Sequence, residues 1–540
     1  MTIALMLLGT SLAACDPVNS TQETVELQIL AFNDFHGQIE PPSGSEILYY
    51  NTTNYPFQAE LGGAPYLATQ IKALKATNPS TVIVSAGDCI GASPLVSALF
   101  HDEPTVEALS KIGLDYSAAG NHEFDEGVAE LQRMQYGCCH QEDGCQDKDR
   151  FVGAGYYYLT ANVVNNSTNN TLFPPYEVRE IEGIPVAFIG VSLKNTPTVV
   201  TPSGVRGFSF LDEADSINAV VGDLKEKGIK TIIVLIHNGG QQDGLPSESR
   251  NFSGSIIDIV KRSDKEVDVF VTGHTHEYYV SNVDGRIVTQ AGWQGKFITD
   301  IDLVISKETG DVLLARAKNV PVTRDVPKDA DVFEIVEKYS ALEEPLTQKV
   351  IGSITGDILK KSSNSGESAT GESALGDVVA DSQLYSAREA GAAVAFMNIG
   401  GIRTDLIYNP SNNEGAGNVT YGEAFSVQPF GNSIYTVNLT GSQIDKLLEE
   451  QFDNPEVGRN SILQVSRGFF YTWNKSAPNG QKVDINSIKI NGTAIDPEGS
   501  YRIAANLFLA DGGDNFSVFK SGVDRVCGVS DLDAFVEYFQ

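Results

Sequence analysis

The sequence predicts a layered α/β protein of two domains, and three observations carry that prediction. Short apolar runs alternate along the chain with segments whose apolar residues follow helical spacing. At 540 residues the chain exceeds the size at which a single hydrophobic core stops growing, and a 41% hydrophobic content can fill more than one. Several apolar runs also end in polar side chains, where α/β sheets place their chemistry.

The N-terminus opens on Ile3-Ala-Leu-Met-Leu-Leu-Gly-Thr-Ser-Leu-Ala-Ala-Cys15, too short to span a bilayer and ending in small residues. Leu12-Ala-Ala-Cys15 resembles a lipobox, after which cleavage leaves Cys15 lipidated; an ordinary secretory signal is the alternative. Residues 16–24 read as a polar tether, and no later run of 18 apolar residues occurs. The chain is therefore expected in the cell envelope, periplasmic or on the outer surface, meeting a membrane only through its anchor.

Val25, Leu27, Ile29 and Ala31 alternate into a first strand, and Asn54 to Glu60 reads as a loop. A helix follows over Pro65 to Ala76, with Tyr66, Leu67, Ile71 and Leu74 on one stripe. Strand and helix then recur through Val82, Val106, Tyr116 and Ala129. Pro185 to Val191 is a buried strand, followed by an exposed loop and a helix near Ala214 to Glu226. Strands at Arg286 to Ala291 and Phe297 to Ser306 complete a first domain at 25–325. From Val326 a helical segment carries Val332, Ile335, Val336 and Tyr339 on one side as far as Glu344, with Pro345 as its stop. That linker, 326–348, leads to a second α/β domain at 349–540. There a serine-rich stretch, Ser362 to Gly371, precedes a helix starting near Glu372. The strand Val394-Ala-Phe-Met397 then runs into Asn398-Ile-Gly-Gly-Ile-Arg403, where Gly400 and Gly401 permit close backbone approach and Arg403 offers a planar fork to an oxyanion or ribose.

A net charge of −32 with pI near 4.5 argues against nucleic acid or an anionic membrane as a partner by charge. Anionic substrates then need cations in the site itself. In an oxidising compartment, Cys138-Cys139-His140-Gln-Glu-Asp-Gly-Cys145 reads as a disulfide loop, with Cys138 or Cys139 paired to Cys145. The rival is a metal knuckle using His140. Cys89 reads as a buried thiol, and Cys527 has no evident partner.

Gly120-Asn-His-Glu-Phe-Asp-Glu-Gly127 follows the strand-like Asp115 to Ala119 and supplies three kinds of chemistry. Asn121 can give a carbonyl oxygen to a hard cation, His122 can donate a proton, and Asp125 is spaced to orient that imidazole. Four other apolar runs end alike, at Asp34-Phe-His36, Asp88, His237 and His274-Thr-His276. Five of the seven histidines thus stand at strand ends beside Asp or Asn, and only His101 and His140 do not. Oxygen and imidazole donors in this number suit Zn, Mn, Fe or Co and exceed the need of one tetrahedral ion. Two divalent ions sharing one carboxylate are the economical reading, and such pairs serve phosphate-ester hydrolysis.

In order, these blocks resemble the D-x-H, G-D, G-N-H-[DE], H and G-H-x-H motifs of the calcineurin-type metallophosphoesterases. Over roughly residues 25 to 535 the chain is similar to the two-domain 5′-nucleotidase family, which includes UDP-sugar hydrolases. The resemblance implies a helix-flanked two-sheet sandwich with metals at its rim, one held by Asp34, His36 and His276, the other by Asn121, His237 and His274, with Asp88 bridging. It further implies a transition-state dyad of His122 and Asp125, Phe430 and Phe508 around a nucleobase, Asp514 on the ribose, and Asn398 and Arg403 on the substrate. The family's arginine before the Glu372 position is replaced by Asn364-Ser-Gly-Glu-Ser-Ala-Thr-Gly371, leaving Lys360 and Lys361 upstream. The expected function is an extracytoplasmic phosphohydrolase acting on nucleotides for salvage. Alternatives are a nucleotide-sugar, dinucleotide or 2′,3′-cyclic nucleotide phosphoesterase, and a non-catalytic binding lipoprotein.

Overall fold

The computed structural model describes residues 23–42, 45–49, 56–246, 249–360, 371–410, 414–455 and 458–540. Cys15 with the expected signal, most of the tether, and the serine-rich stretch up to residue 370 lie outside the described residues.

Two six-stranded sheets stack face to face in the N-terminal part. In chain order their strands are β1 (Thr24–Phe32), β2 (Thr81–Ser85), β3 (Tyr116–Ala118), β4 (Tyr157–Leu159), β5 (Tyr176–Ile181), β6 (Ile184–Val191), β7 (Thr231–Ile236), β8 (Val269–Thr272), β9 (Tyr278–Val283), β10 (Arg286–Ala291), β11 (Phe297–Ser306) and β12 (Val312–Pro321). The first sheet has the order β12-β11-β1-β2-β3-β4, the second β9-β10-β8-β7-β6-β5. From β1 to β4 neighbours pair in parallel, as do β6, β7, β8 and β10, while hairpin strands close the edges antiparallel.

The residues of β1 show why this strand is central. Val25, Leu27, Ile29 and Ala31 face the second sheet and pack with Val84, Phe188, Ile233 and Leu235. Leu30 and Phe32 face the other way, against Leu67 and Ile71 of α1 (Ala64–Lys75) and Val106 of α2 (Glu103–Ile112). Two further helices matter here: α3 (Val128–Tyr136) and α4 (Glu213–Glu226), the latter covering the second sheet through Ala214, Ile217 and Val221. A strand buried on both faces reads as a continuous apolar run rather than a strict alternation.

Three expectations need correction. The backbone of Pro56–Ala59 is a strand paired antiparallel with Glu46–Tyr49, not a loop; its hydrogen bonds go to an upstream partner that local composition cannot reveal. The loop after β6 holds a short helix, Thr196–Val199, and buries Val200 and Val205, so it is not exposed throughout. The helix expected from Val326 is α5 (Ala330–Thr347). It begins four residues later because the Asp329 side chain caps it by accepting from the Val332 N–H, and it runs through Pro345. A proline so close to the C-terminal end forfeits little of the ladder, and the Gln348 N–H still reaches the Glu344 carbonyl. Helix α5 packs Val332, Val336 and Tyr339 into the helical layer over the first sheet.

The C-terminal part has α6 (Ala374–Ser386) and a five-stranded sheet of β13 (Val394–Met397), β14 (Ser433–Thr440), β15 (Gln464–Val465), β16 (Ser500–Asn506) and β17 (Val523–Ser530), in the order β15-β13-β16-β14-β17. Because β13 and β16 are parallel, Asn398 and Asn506 emerge at the same rim. A further apolar cluster joins the two parts: Leu95, beyond β2, is buried with Ile351, Leu375, Met397 and Val427.

Candidate active site

Asp34, Asp88, Asn121, His237 and His274 lie just past the C-terminal ends of β1, β2, β3, β7 and β8, so parallel pairing gathers them at one rim of the sandwich. Asp34, His36, Asp88, His274 and His276 all have left-handed backbones, with φ of 49°, 50°, 51°, 75° and 57°. Each such residue costs on the order of 1–3 kcal/mol and persists only where its surroundings enforce it. Here the Asp34 N–H donates to the Gly87 carbonyl and the His36 N–H to the Asp88 carbonyl, both at 3.0 Å. The His274 N–H donates to the Asp34 carboxylate.

Three donor sets overlap at this rim: Asp34 with His36 and His276, His36 with Asp88 and His122, and Asp88 with His237 and His274, each with its donor atoms within 4.8 Å of one another. His36 Nε2 stands 3.1 Å from His276 Nε2, and His237 Nε2 stands 3.0 Å from Asp88 Oδ2 and 3.1 Å from Asn121 Oδ1. All seven expected ligands therefore converge, with Asp88 common to two sets.

The chemistry of these donors fits divalent ions. His36 Nδ1 faces the Gly91 carbonyl and His237 Nδ1 the Ala86 carbonyl, both at 2.9 Å, which assigns those protons and leaves each Nε2 toward the cluster. Burial pushes His36 down to about 3 and His274 down to about 4, so both are neutral, as ligation requires. At Asp88 the burial penalty is outweighed, first by His237 and then by His122, and the carboxyl stays well below its usual range. Burial also opposes charge on His237, but the Asp88 carboxylate prevails and raises it to about 9, so a cation bound at its Nε2 would displace the proton held there.

The loop after β3 holds the rest. His122 Nδ1 is 2.7 Å from Asp125 Oδ2, and the His122 N–H donates to Asp88 Oδ1 at 2.8 Å. Glu123, whose only sequence signal is its place between His122 and Phe124, is a positioning residue. Its buried carboxylate accepts from the N–H groups of Asp88, Cys89 and Gly120 at 2.8, 2.7 and 2.6 Å, tying two ligand loops together. Gly120 allows that approach, since a Cβ there would lie 2.1 Å from Asp88 Oδ1.

A cavity of about 330 Å³ opens beside the dyad and is shared by both parts of the chain. Asn121, His122, Asp125 and His274 line one side; Asn398, Gly400, Gly401, Arg403, Phe430, Phe508 and Asp514 line the other. The Phe430 ring lies 5.9 Å from that of His122 at an interplanar angle of 15°, and the Arg403 guanidinium sits 5.8 Å from the Phe430 ring. Asn398 Nδ2 donates to Asp514 Oδ2 at 2.9 Å, while burial raises the Asp514 carboxyl to about 6. Gly513 packs under the Phe508 ring, where a Cβ would come within 2.5 Å. Val199, Val200 and Thr201 also line the cavity; their only sequence signal was a Val-Val pair inside a Thr/Pro-rich loop.

A second cavity, of about 620 Å³, continues past His36 and His276 toward Trp293, Lys296 and Lys360. Away from the centre, Cys139 pairs with Cys145 and Cys138 is an exposed free thiol, so the loop is closed by a disulfide rather than by cysteine ligation. Cys89 is buried, as expected, and Cys527 is exposed. No described helix is long and apolar enough to cross a membrane.

Residues 27–278 match the family model for the calcineurin-like phosphoesterases, and residues 350–521 match that for the 5′-nucleotidase C-terminal domain. The chain is 32% identical over 569 residues to cell wall protein Lmo0130 of Listeria monocytogenes, covering 100% of this chain and 70% of that protein. It is 34% identical over 520 residues to endonuclease YhcR of Bacillus subtilis, covering 96% of this chain but only 40% of that longer protein. Among solved structures, the 5′-nucleotidase precursor of Thermus thermophilus superposes with a TM-score of 0.73 at 26% identity, covering 95% of this chain and 96% of that one.

Proposed function

The chain belongs to the calcineurin-like phosphoesterases that carry a 5′-nucleotidase C-terminal domain, a family of metal-dependent phosphoester hydrolases, and from that premise we propose that it releases phosphate from nucleotides outside the cytoplasm, for salvage. The observation that carries this reading is the shared cavity, which sets the His122–Asp125 dyad opposite Phe430, Phe508 and Arg403. In this reading residues 25–325 bear two divalent ions, 326–348 link, and 349–540 hold the nucleotide.

Asp34, His36 and His276 would hold one ion and Asn121, His237 and His274 the other, with Asp88 between them; such a pair polarises the phosphoryl oxygens and lowers the pKa of a bound water. Phe430 and Phe508 take the base, while Asp514 and Asn398 accept and donate at the ribose. Arg403 and His122 face the charge that develops on the phosphoryl and leaving oxygens, and Asp125, accepting from His122 Nδ1, favours the imidazolium whose Nε2–H meets the substrate. The lipobox at Cys15 and the likeness to a cell wall protein support a place in the cell envelope.

The cavity toward Trp293 and Lys296 favours a second reading, in which the phosphorus carries a further group, as in a nucleotide sugar or dinucleotide. Hydrolysis of nucleoside 5′-monophosphates, read as phosphate release, and of a UDP-sugar, NAD and a 2′,3′-cyclic nucleotide, read as the nucleotide products by chromatography, with and without added Zn, Mn or Co, tests both. Metal-restored release from the monophosphates is expected. Cleavage of the larger substrates without hydrolysis of the monophosphates favours the second reading, and no turnover of any substrate overturns both.

A further inference from the structure

His101 and His140 are the two histidines outside the catalytic centre, and the fold stacks them, with ring centroids 3.8 Å apart and planes at 18°. His101 occupies the left-handed turn before α2, at φ 51°, and His140 sits inside the loop that the Cys139–Cys145 disulfide closes. Around them stand Glu126, directly after Asp125, and Glu130, in the first turn of α3. One donor atom from each of His101, Glu126, Glu130 and His140 lies within 4.8 Å of every other.

Carboxylates flank both rings. His101 Nδ1 is 2.8 Å from Glu126 Oε2 and its Nε2 is 2.9 Å from Asp143 Oδ2, which in turn lies 3.6 Å from His140 Nδ1. Arg133 brings a permanent positive charge to Glu130, but it is divided between that carboxylate and the buried Glu103. Three carboxylates therefore converge on two imidazoles and a share of one guanidinium. A small cavity of about 20 Å³ separates His101, Glu126 and Glu130 from His122 and Asp125; His140 does not line it.

We propose that His101, Glu126, Glu130 and His140 bind a third divalent ion, separate from the catalytic pair and of borderline character, such as Zn²⁺. Two imidazoles and two carboxylates supply four protein donors, the closed set of a structural zinc site. The Asp143 carboxylate, 2.9 Å from His101 Nε2, is placed as the outer hydrogen-bond acceptor of that imidazole, the usual partner of a ligating histidine, while the Asp143 N–H donates to His140 Nδ1. Such an ion ties the disulfide loop to the segment that follows Asp125. Its effect is to fix the residue that orients His122, without touching substrate.

The test is a metal count. Full-length protein is equilibrated with excess Zn²⁺, desalted and assayed by mass spectrometry for ions per chain. The variant His101→Asn/His140→Asn is expected to hold one ion fewer than the natural sequence. Asp88→Ala, which disables the catalytic pair, is expected to keep an ion that the same two substitutions then remove. In Co²⁺-loaded protein, the visible bands of one site should disappear in the double variant alone. Equal ion content in the natural sequence and the double variant overturns the proposal. Circular dichroism in EDTA checks that the variant folds; if it does not, Glu126→Gln carries the same comparison. Because the readout is an ion count, failure of the hydrolase reading would leave it intact.

Discussion

His122 is anchored at both ends, by Asp125 on Nδ1 and by Asp88 on its backbone N–H, so its ring direction is settled before any substrate arrives. Burial disfavours its charge, but Asp125 and then Asp88 outweigh that and raise its pKa, which keeps a proton available near neutrality. Replacing His122 with Ala is expected to lower kcat by about 10²–10³, the usual cost of one preorganised donor, with metal content unchanged. Metal lost together with activity would make it a ligand of the His36–Asp88 set instead.

Asp514 yields a pH signature. It is raised to about 6 by burial, so it is charged above that value and protonated below it. Only the carboxylate accepts from two ribose hydroxyls, so KM for a nucleotide should rise as pH falls through about 6, while KM for p-nitrophenyl phosphate, which has no ribose, should not follow. Parallel pH profiles for the two substrates would remove Asp514 from the binding role. At this scale most of the convergence was legible, because ligand types recur at the ends of apolar runs. The partner of Cys145 was not, since Cys138 and Cys139 differ by one position and only the folded loop chooses between them.

At the scale of elements, the site depends on loops that hold one another. Glu123 belongs to the loop after β3, yet two of its three hydrogen bonds go to the loop after β2. Replacing it with Ala leaves three buried N–H groups without their acceptor, each costing about 1–3 kcal/mol. The expected result is a lower unfolding temperature in EDTA together with weaker Zn²⁺ binding, measured by titration. An unchanged unfolding temperature would show that water fills the place. This role escaped the sequence because two of its three partners, Asp88 and Cys89, lie 35 and 34 residues away in the chain. Strands such as β10, β11 and β13 were legible to the residue, since their apolar runs are bounded by turns.

At the scale of the molecule, the ion-binding rim and the aromatic pair come from different parts of the chain. Stacking a base on an aromatic is worth about 1–3 kcal/mol, and about 1.4 kcal/mol is tenfold. Phe508→Ala is therefore expected to lower kcat/KM for a nucleoside monophosphate by roughly tenfold or more, and to leave p-nitrophenyl phosphate nearly unaffected. Equal losses on both substrates would mean that the ring only supports the fold around Gly513.

The segment from Gly91 to Leu95 has duties on both sides of the cleft. The Gly91 carbonyl receives His36 Nδ1, and four residues on, Leu95 is seated in the apolar cluster of the C-terminal part. Five residues of chain thus join that seat to an imidazole among the ion donors. Thermodynamic reciprocity then applies: if nucleotide tightens the hold on the ion beside His36, that ion must tighten the hold on nucleotide by the same factor. A cell short of the ion would find this protein with a weaker grip on its substrate, and abundant substrate would slow the ion's escape.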